Sequence, residues 1–247
     1  TGNSMNFLPS GSIPYQQYIL GPTDSLATLL KGYGYETRAF HPGEQTSWQR
    51  NIAYPRLGFD SFKCGEDMDV PQTEEHGYVS DDSDFEQIIW EFEHKDESTP
   101  LFLFNVTIQN HGSYTVEDYP AEVQLADEPG AYPKAEQYLT LANKTDEAFK
   151  KLIDYFSSQT EPTILVMFGD HQPSVEQEFL DKAYGVTQDE MTMAQYMDKF
   201  KVPFIIWANY PLTGDSTKIT SLNFLAQYVL RNAGIETSAY GKYLWNL

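Results

Sequence analysis

Five consecutive apolar residues, Ile164 to Phe168, stand between Pro162 and Gly169. The run is too short for a helix and predicts a strand buried on both faces. Leu101 to Ile108, interrupted only by Asn105 and Thr107, predicts a second strand, and Tyr35 to Phe40 and Val202 to Ala208 predict two more. Helical spacing appears between them. Leu26, Leu29 and Leu30 share a face, with Thr23 or Asp24 as cap and Gly32 as stop. Ser83-Asp84-Phe85-Glu86 has the form of a capping box, and Phe85, Ile88, Ile89 and Phe92 follow at i, i+3, i+4 and i+7. Tyr138, Leu141, Ala142, Thr145, Phe149, Leu152, Ile153 and Phe156 make the longest stripe, about 22 residues or ~33 Å of helix. Ala194 to Phe200 predicts a short helix, and Leu222, Leu225, Tyr228, Val229 and Ala233 a last one before Gly234. Residues 1–22, 51–72 and 113–134 show no period and read as irregular chain.

Strands that alternate with helices predict an α/β fold with a mainly parallel central sheet flanked by helices. Strand 101–108, the long helix and strand 163–168 read as a βαβ unit with a right-handed crossover. No split point is visible, so residues 1–247 are taken as one domain.

Charge narrows the partners. Against 36 acidic residues stand 16 basic ones, a net −20, which disfavours nucleic acid or a broad anionic membrane contact. An anionic substrate would need local compensation. Cys64 is the only cysteine, so neither an intramolecular disulfide nor a cysteine zinc cluster can form. No run approaches the ~18 apolar residues of a membrane span. The opening Thr1-Gly2-Asn3-Ser4 reads as the start of a piece whose natural beginning, with any signal or anchor, lies elsewhere.

Candidate chemistry gathers at strand ends. Three of the five histidines, His41, His111 and His171, fall within three residues of the end of a predicted strand, and parallel strands put those ends on one edge. Asp170 and His171 leave the strand together, a hard carboxylate with an imidazole, suited to Mn²⁺, Mg²⁺ or Zn²⁺. The plainer alternative is a capping aspartate and a loop histidine. Arg50 offers a planar fork for phosphate or sulfate and Trp48 a flat wall for a glycerol or sugar face; a packed Trp with a surface Arg is the alternative. Asn110-His111-Gly112 could protonate or position an ester oxygen, or serve structure alone. His76, His94 and Asp146 receive no role. The absence of GxSxG, GxxxxGK[ST] and GxGxxG disfavours ordinary serine hydrolases, nucleotide-triphosphate enzymes and dinucleotide enzymes.

Taken in order, His41…Trp48-x-Arg50, Tyr54-x-x-Leu57-Gly58-Phe59-Asp60, Asn110-His111-Gly112 and Gly169-Asp170-His171 resemble the extracellular domain of lipoteichoic acid synthases and related phosphoglycerol transferases, in the alkaline phosphatase and sulfatase superfamily. The resemblance runs from Met5 to about Ile235. It implies one divalent metal, Mn²⁺ first with Mg²⁺ or Zn²⁺ as alternatives, and transfer of glycerophosphate from phosphatidylglycerol, through a threonine, to a glycerol, glycolipid or cell-surface polymer acceptor. It further implies that Asp170 and His171 are metal ligands. His41, Trp48, Arg50 and His111 then bind the headgroup, and His111 assists the leaving group.

In this family the nucleophilic threonine and a glutamate ligand lie upstream of the matched region, so Thr1 is assigned no catalysis. The expectation is a piece of a membrane-anchored enzyme of the outer cell face that by itself binds Mn²⁺ weakly or not at all and turns over no phosphodiester. Ser113, where the synthases usually have Pro, and Gln172-Pro173-Ser174 after the Asp-His pair depart from the pattern and leave substrate and acceptor open. A sulfate or phosphate ester hydrolase, and a non-catalytic module for anionic glycans or lipid headgroups, are the competing readings.

Overall fold

The computed structural model describes residues 1–2, 7–117, 119–213 and 219–246; Met5, where the family resemblance begins, lies outside them. Helices α1 (Pro14–Gln17) and α2 (Leu26–Gly32) lead into strand β1 (Glu36–His41), followed by α3 (Arg50–Arg56) and β2 (Ser61–Cys64). A hairpin of β3 (Glu74–Glu75) and β4 (Tyr78–Val79) precedes α4 (Asp81–Glu93), β5 (Leu101–Asn105), the long α5 (Pro133–Ser157) and β6 (Ile164–Phe168). Then come α6 (Gln177–Tyr184), α7 (Met193–Asp198), β7 (Phe204–Ala208), α8 (Leu222–Asn232) and α9 (Ala239–Trp245).

Strands β2, β1 and β5 form a parallel sheet in that order, with Phe40 opposite both Lys63 and Asn105. Its two faces are covered by different helices because successive residues of a strand point opposite ways. Ala39 packs with Ile19, Tyr54 and Leu57 in a cluster that Phe59, Phe62 and Phe104 extend, so α3 covers one face. Arg38 points the other way and pairs with Glu91 of α4, a carboxylate 2% exposed that Lys63 of β2 also reaches at 2.8 Å. A buried carboxylate is tolerable here because two cations neutralise it.

Strand β6 departs from expectation in two respects. It pairs antiparallel with β7, Val166 opposite Ile206, and among the described residues it makes no ladder with β5, so the right-handed βαβ crossover does not form. Apolar runs mark strands but carry no information on which strand each will meet. Nor is β6 buried on both faces. Leu165 and Met167, with Trp207, pack on Phe85, Phe149, Leu152 and Phe156 of α4 and α5, whereas Phe168 is 37% exposed.

Boundaries moved for local reasons. The cap of α4 is Ser80, whose hydroxyl accepts from the Ser83 N–H at 3.1 Å; Ser83 itself lies inside the helix. Ser25, not Thr23 or Asp24, caps α2, in a capping box with Thr28. Helix α3 and strand β2 arise within the stretch read as irregular, because Pro55 obscured a seven-residue helix and four residues are too few to show a period. Strand β5 stops at Asn105 rather than at residue 108, which lengthens the loop carrying His111. Helices α1, α6 and α9 were not anticipated.

Candidate anion and metal site

The carboxyl end of β1 builds the first part of the site. His41 is its last residue, 3% exposed. The Gly43 N–H donates to His41 Nδ1 at 2.8 Å, so the neutral ring carries its proton on Nε2 and presents a donor there. Burial first, then Arg50, then His111 push this imidazole down to about 4, which keeps it neutral. Gly43 is required by this approach: a Cβ would stand 3.0 Å from His41 Cε1 and 3.3 Å from Ile108 Cδ1.

After His41 the chain turns sharply. Trp48 and Gln49 both hold positive φ, 58° and 56°, in a 3-10 turn over Ser47–Gln49. Non-glycine residues rarely occupy this region, and local strain of this kind collects at functional positions. The turn leaves Trp48 53% exposed and starts α3 with Arg50, which is 9% exposed. Arg50 Nη1 donates to the Glu44 carbonyl at 3.1 Å, and no carboxylate pairs with its guanidinium among the described residues. Burial lowers its pKa. In a chain of net charge −20, a buried arginine without a carboxylate is the local compensation that an anionic ligand needs.

The loop after β5 supplies the second part. Asn110 Nδ2 donates to Thr145 Oγ1 at 2.8 Å, and Thr145 Oγ1 donates to Asp81 Oδ2 at 2.6 Å. Gln109, 1% exposed, accepts the Asp81 N–H at 3.0 Å through Oε1. Asp81 is fully buried, and its carboxyl is pushed up to about 6 by burial, against the hydrogen bonds from Thr145 and Thr107. This polar floor fixes the loop from below. His111 itself is exposed, with Nδ1 2.7 Å from the Gly112 carbonyl. A carbonyl only accepts, so Nδ1 carries the proton and Nε2 holds a lone pair.

Asp170 and His171 form the third part, and they are organised differently. Their side chains are 83% and 76% exposed, with His171 Nε2 3.5 Å from Asp170 Oδ2. His171 Nδ1 lies 2.9 Å from the Gln172 carbonyl, which places the proton on Nδ1 and frees Nε2. Downstream in the same loop, Glu176 accepts the Lys134 and Ala135 N–H groups at 2.8 and 3.0 Å, so the loop caps α5 and is tied to it.

A family model described as Sulfatase matches residues 1–235. The chain belongs to the sulfatase family. It is 34% identical over 255 residues to a Rhizobium meliloti (strain 1021) protein named for cyclic beta-1,2-glucan modification, covering 99% of this chain and 39% of that protein. It is 28% identical over 181 residues to the lipoteichoic acid synthase-like YvgJ of Bacillus subtilis (strain 168), covering 72% of this chain and 28% of the relative. Among solved structures it is similar to the Streptococcus pyogenes phosphoglycerol transferase GacH in complex with sn-glycerol-1-phosphate, with TM-score 0.69, 20% identity, and coverage of 86% of this chain and 53% of that one. These relatives support the alkaline phosphatase and sulfatase superfamily and its phosphoglycerol transferase branch. The chain spans about two fifths of the first of these relatives and about half of GacH.

Within this sulfatase-family fold, the predicted residues divide into two sets. Arg50 and His111 both act on His41, lowering its pKa behind burial. Trp48 stands beside them in sequence at the surface. Asp170 touches neither imidazole by hydrogen bond, but its charge raises the Tyr114 pKa behind burial and Tyr138, and Tyr114 donates to the Asn110 carbonyl at 2.8 Å. The Asp170–His171 pair thus lies on the 110–114 side of the molecule. Two donor atoms 3.5 Å apart fit a shared cation, since two bonds of ~2.1 Å at a tetrahedral angle span about 3.4 Å. No group of three His, Cys, Asp or Glu residues that could hold a metal occurs among the described residues. Sequence reasoning gave no site role to Gly43, Asp81 or Thr145: Thr145 was visible only as a member of the long helical stripe, and the Gly two residues beyond His41 was the one available signal for the site.

Proposed function

We propose that this sulfatase-family chain is the headgroup-binding part of a phosphoglycerol transferase that moves glycerophosphate from a phosphatidylglycerol-type lipid to a hydroxyl group of a cell-envelope glycan, on the outer face of the membrane. The observation that carries the reading is Arg50, buried, charged and without a carboxylate partner among the described residues, beside a histidine held neutral with its Nε2–H as donor. Arg50 takes two phosphoryl oxygens through its fork and His41 Nε2–H a third contact. Trp48 walls the glycerol. A glycan acceptor is favoured by the relative named for cyclic beta-1,2-glucan modification, and glycerophosphate by the ligand in the GacH complex.

In the overall reaction the phosphorus–oxygen bond to diacylglycerol breaks and one to the acceptor oxygen forms. The acceptor's proton ends on the diacylglycerol hydroxyl. His111, with its lone pair on Nε2, is suited to take up the proton that an attacking hydroxyl gives up and to pass it to the departing glyceride oxygen. Asp170 Oδ2 and His171 Nε2 would hold a divalent ion, Mn²⁺ first and Mg²⁺ or Zn²⁺ otherwise. Such an ion supplies Lewis-acid polarisation of the phosphoryl oxygen when bound. No residue of this chain is assigned as nucleophile. No helix among the described residues is long and apolar enough to cross a membrane, and the lipid contact is assigned to the whole protein rather than to these residues.

The test uses the intact protein in vesicles containing labelled phosphatidylglycerol, with a β-glucan oligosaccharide in the medium. Mass spectrometry should find diacylglycerol and a phosphoglycerol adduct of the glucan, both lost in Arg50→Ala. Phosphate or sulfate ester cleavage without an adduct would assign a hydrolase instead. Glycerophosphate binding that survives chelation, with no turnover, would assign a binding module.

A further inference from the structure

His111 is exposed, yet its ring nitrogen Nδ1 is held from two sides, by the Gly112 carbonyl at 2.7 Å and by the Tyr78 hydroxyl at 3.3 Å. The Tyr78 hydroxyl also donates to the Gly112 carbonyl at 3.4 Å. One proton arrangement satisfies all three contacts. The Nδ1–H points to the carbonyl and the Tyr78 oxygen, and the Tyr78 proton goes to the carbonyl. We propose that Tyr78 is a positioning residue for His111, fixing the ring as the Nδ1–H tautomer so that Nε2 is the working nitrogen. This rests on the reading of His111 as a site residue.

Tyr78 can serve as a fixed post because the hairpin that carries it is locked. His76 and Gly77, at φ 55° and 81°, form the two-residue turn between β3 and β4, a conformation that suits the twist of paired strands. The His76 ring, 8% exposed, is enclosed by Tyr78, Tyr114 and Tyr119 at centroid distances of 6.3, 5.9 and 5.6 Å. Glu75 ties the hairpin outward, accepting from Tyr119 Oη at 3.0 Å and Lys144 Nζ at 3.1 Å. Ser80, two residues on, caps α4. The Tyr78 ring meets His111 edge-on, centroids 5.7 Å apart at 71°. A rigid donor and acceptor therefore stands against a mobile class of side chain, and loses no further freedom in holding it.

The consequence is a division of labour between two imidazoles. His41 accepts a backbone N–H on Nδ1 and so offers Nε2–H as a donor, while His111 donates a hydrogen bond from Nδ1–H and so offers Nε2 as an acceptor. One is built to hold an anion and the other to carry a proton.

Long-range ¹H–¹⁵N correlation on the ¹⁵N-labelled chain reads tautomers directly, with the five histidines assigned by single His→Gln variants. His111 should be mainly Nδ1–H and His41 mainly Nε2–H at neutral pH. In Tyr78→Phe, which keeps the ring contact, the His111 ratio should move about fivefold toward Nε2–H, the worth of one neutral hydrogen bond. The His41 and His171 signals serve as internal controls and should not move. A wild-type His111 in the Nε2–H form overturns the inference without recourse to a variant. So does a His111 ratio in Tyr78→Phe within twofold of wild type. Turnover by the intact protein is the separate arm: a moved tautomer with unchanged kcat would keep Tyr78 as the post and remove His111 from the chemistry proposed above.

Discussion

The two halves of the site are built on opposite principles. Around His41, Arg50 and His111 the side chains are wired internally: a backbone N–H at His41, and the Gly112 carbonyl with the Tyr78 hydroxyl at His111, surround each Nδ1, and the Asp81–Thr145–Asn110 chain supports the loop. Around Asp170 and His171 the side chains are more than three-quarters exposed, and little besides the backbone of their own turn orders them. The first half is formed before any ligand arrives, and so suits recognition. The second would be completed by what binds to it. Substitutions in the wired half should therefore change stability and pH response, while substitutions in the open half should change function alone.

The largest expected effect tests the open half. In the intact protein, Asp170→Ala or His171→Ala should weaken Mn²⁺ binding roughly a hundredfold or more, since on the proposed function each removes a direct ligand and even outer partners are worth 10–100-fold. Because both side chains are exposed, unfolding midpoints without metal should stay within about 0.5 kcal/mol of wild type. Isothermal titration with Mn²⁺ and denaturant melts check the two statements together. A large loss of stability would erase the contrast.

His41 gives the largest expected effect on the wired side. Its folded pKa of about 4 lies below the ordinary 6.5. The unfolded chain therefore takes up this proton as pH falls through 6.5, while the folded chain does not until about 4. Stability is lost across that window as pH falls, on the order of 3 kcal/mol by its lower end. His41→Gln should remove that part of the slope, as urea melts between pH 4 and 7 would show.

Asp81 has the opposite sign. Burial raises its folded pKa to about 6, above the ordinary 3.8, so its contribution is full below 3.8 and is lost as pH rises through 6. Asp81→Asn keeps an acceptor for Thr145 and should stabilise the protein above pH 6 by on the order of 2 kcal/mol, with the gain vanishing near pH 4. The same melts check it. Asp84, fully buried and raised by burial and by Asp81, adds to this slope in the wild type.

The smallest effect belongs to Gly43→Ala. The new methyl would meet His41 Cε1 at 3.0 Å and Nδ1 at 3.2 Å, so the ring must give by a few tenths of an ångström. Glycerophosphate affinity should fall a few-fold, measured by titration, with a loss of stability on the order of 1 kcal/mol.

Much of this was legible from the chain because its sources are local. A five-residue apolar run marked β6, the i, i+3, i+4, i+7 stripe marked α4, and the ordered motifs pointed to the family whose model matches residues 1–235. What stayed hidden depends on meetings between distant segments. Tyr78 reaches His111 across 33 positions and Thr145 reaches Asp81 across 64, and no local period or motif says which distant residue each will meet. The antiparallel partnership of β6 with β7 was equally invisible, because an apolar strand pairs in either direction. The buried state of Arg50 also came only from the fold, since a lone arginine in sequence carries no sign of its burial.

One measurement bears most directly on the claim that the wired half is an anion site. Titrating the chain with sn-glycerol-1-phosphate, in the presence of a chelator, while following Arg50 Nε and the His41 ring by NMR, should shift both groups saturably. Arg50→Gln should weaken the binding about 10- to 100-fold, the loss expected for a charge-assisted pair. Binding of equal strength in wild type and Arg50→Gln, or no response at Arg50 and His41, would contradict the account.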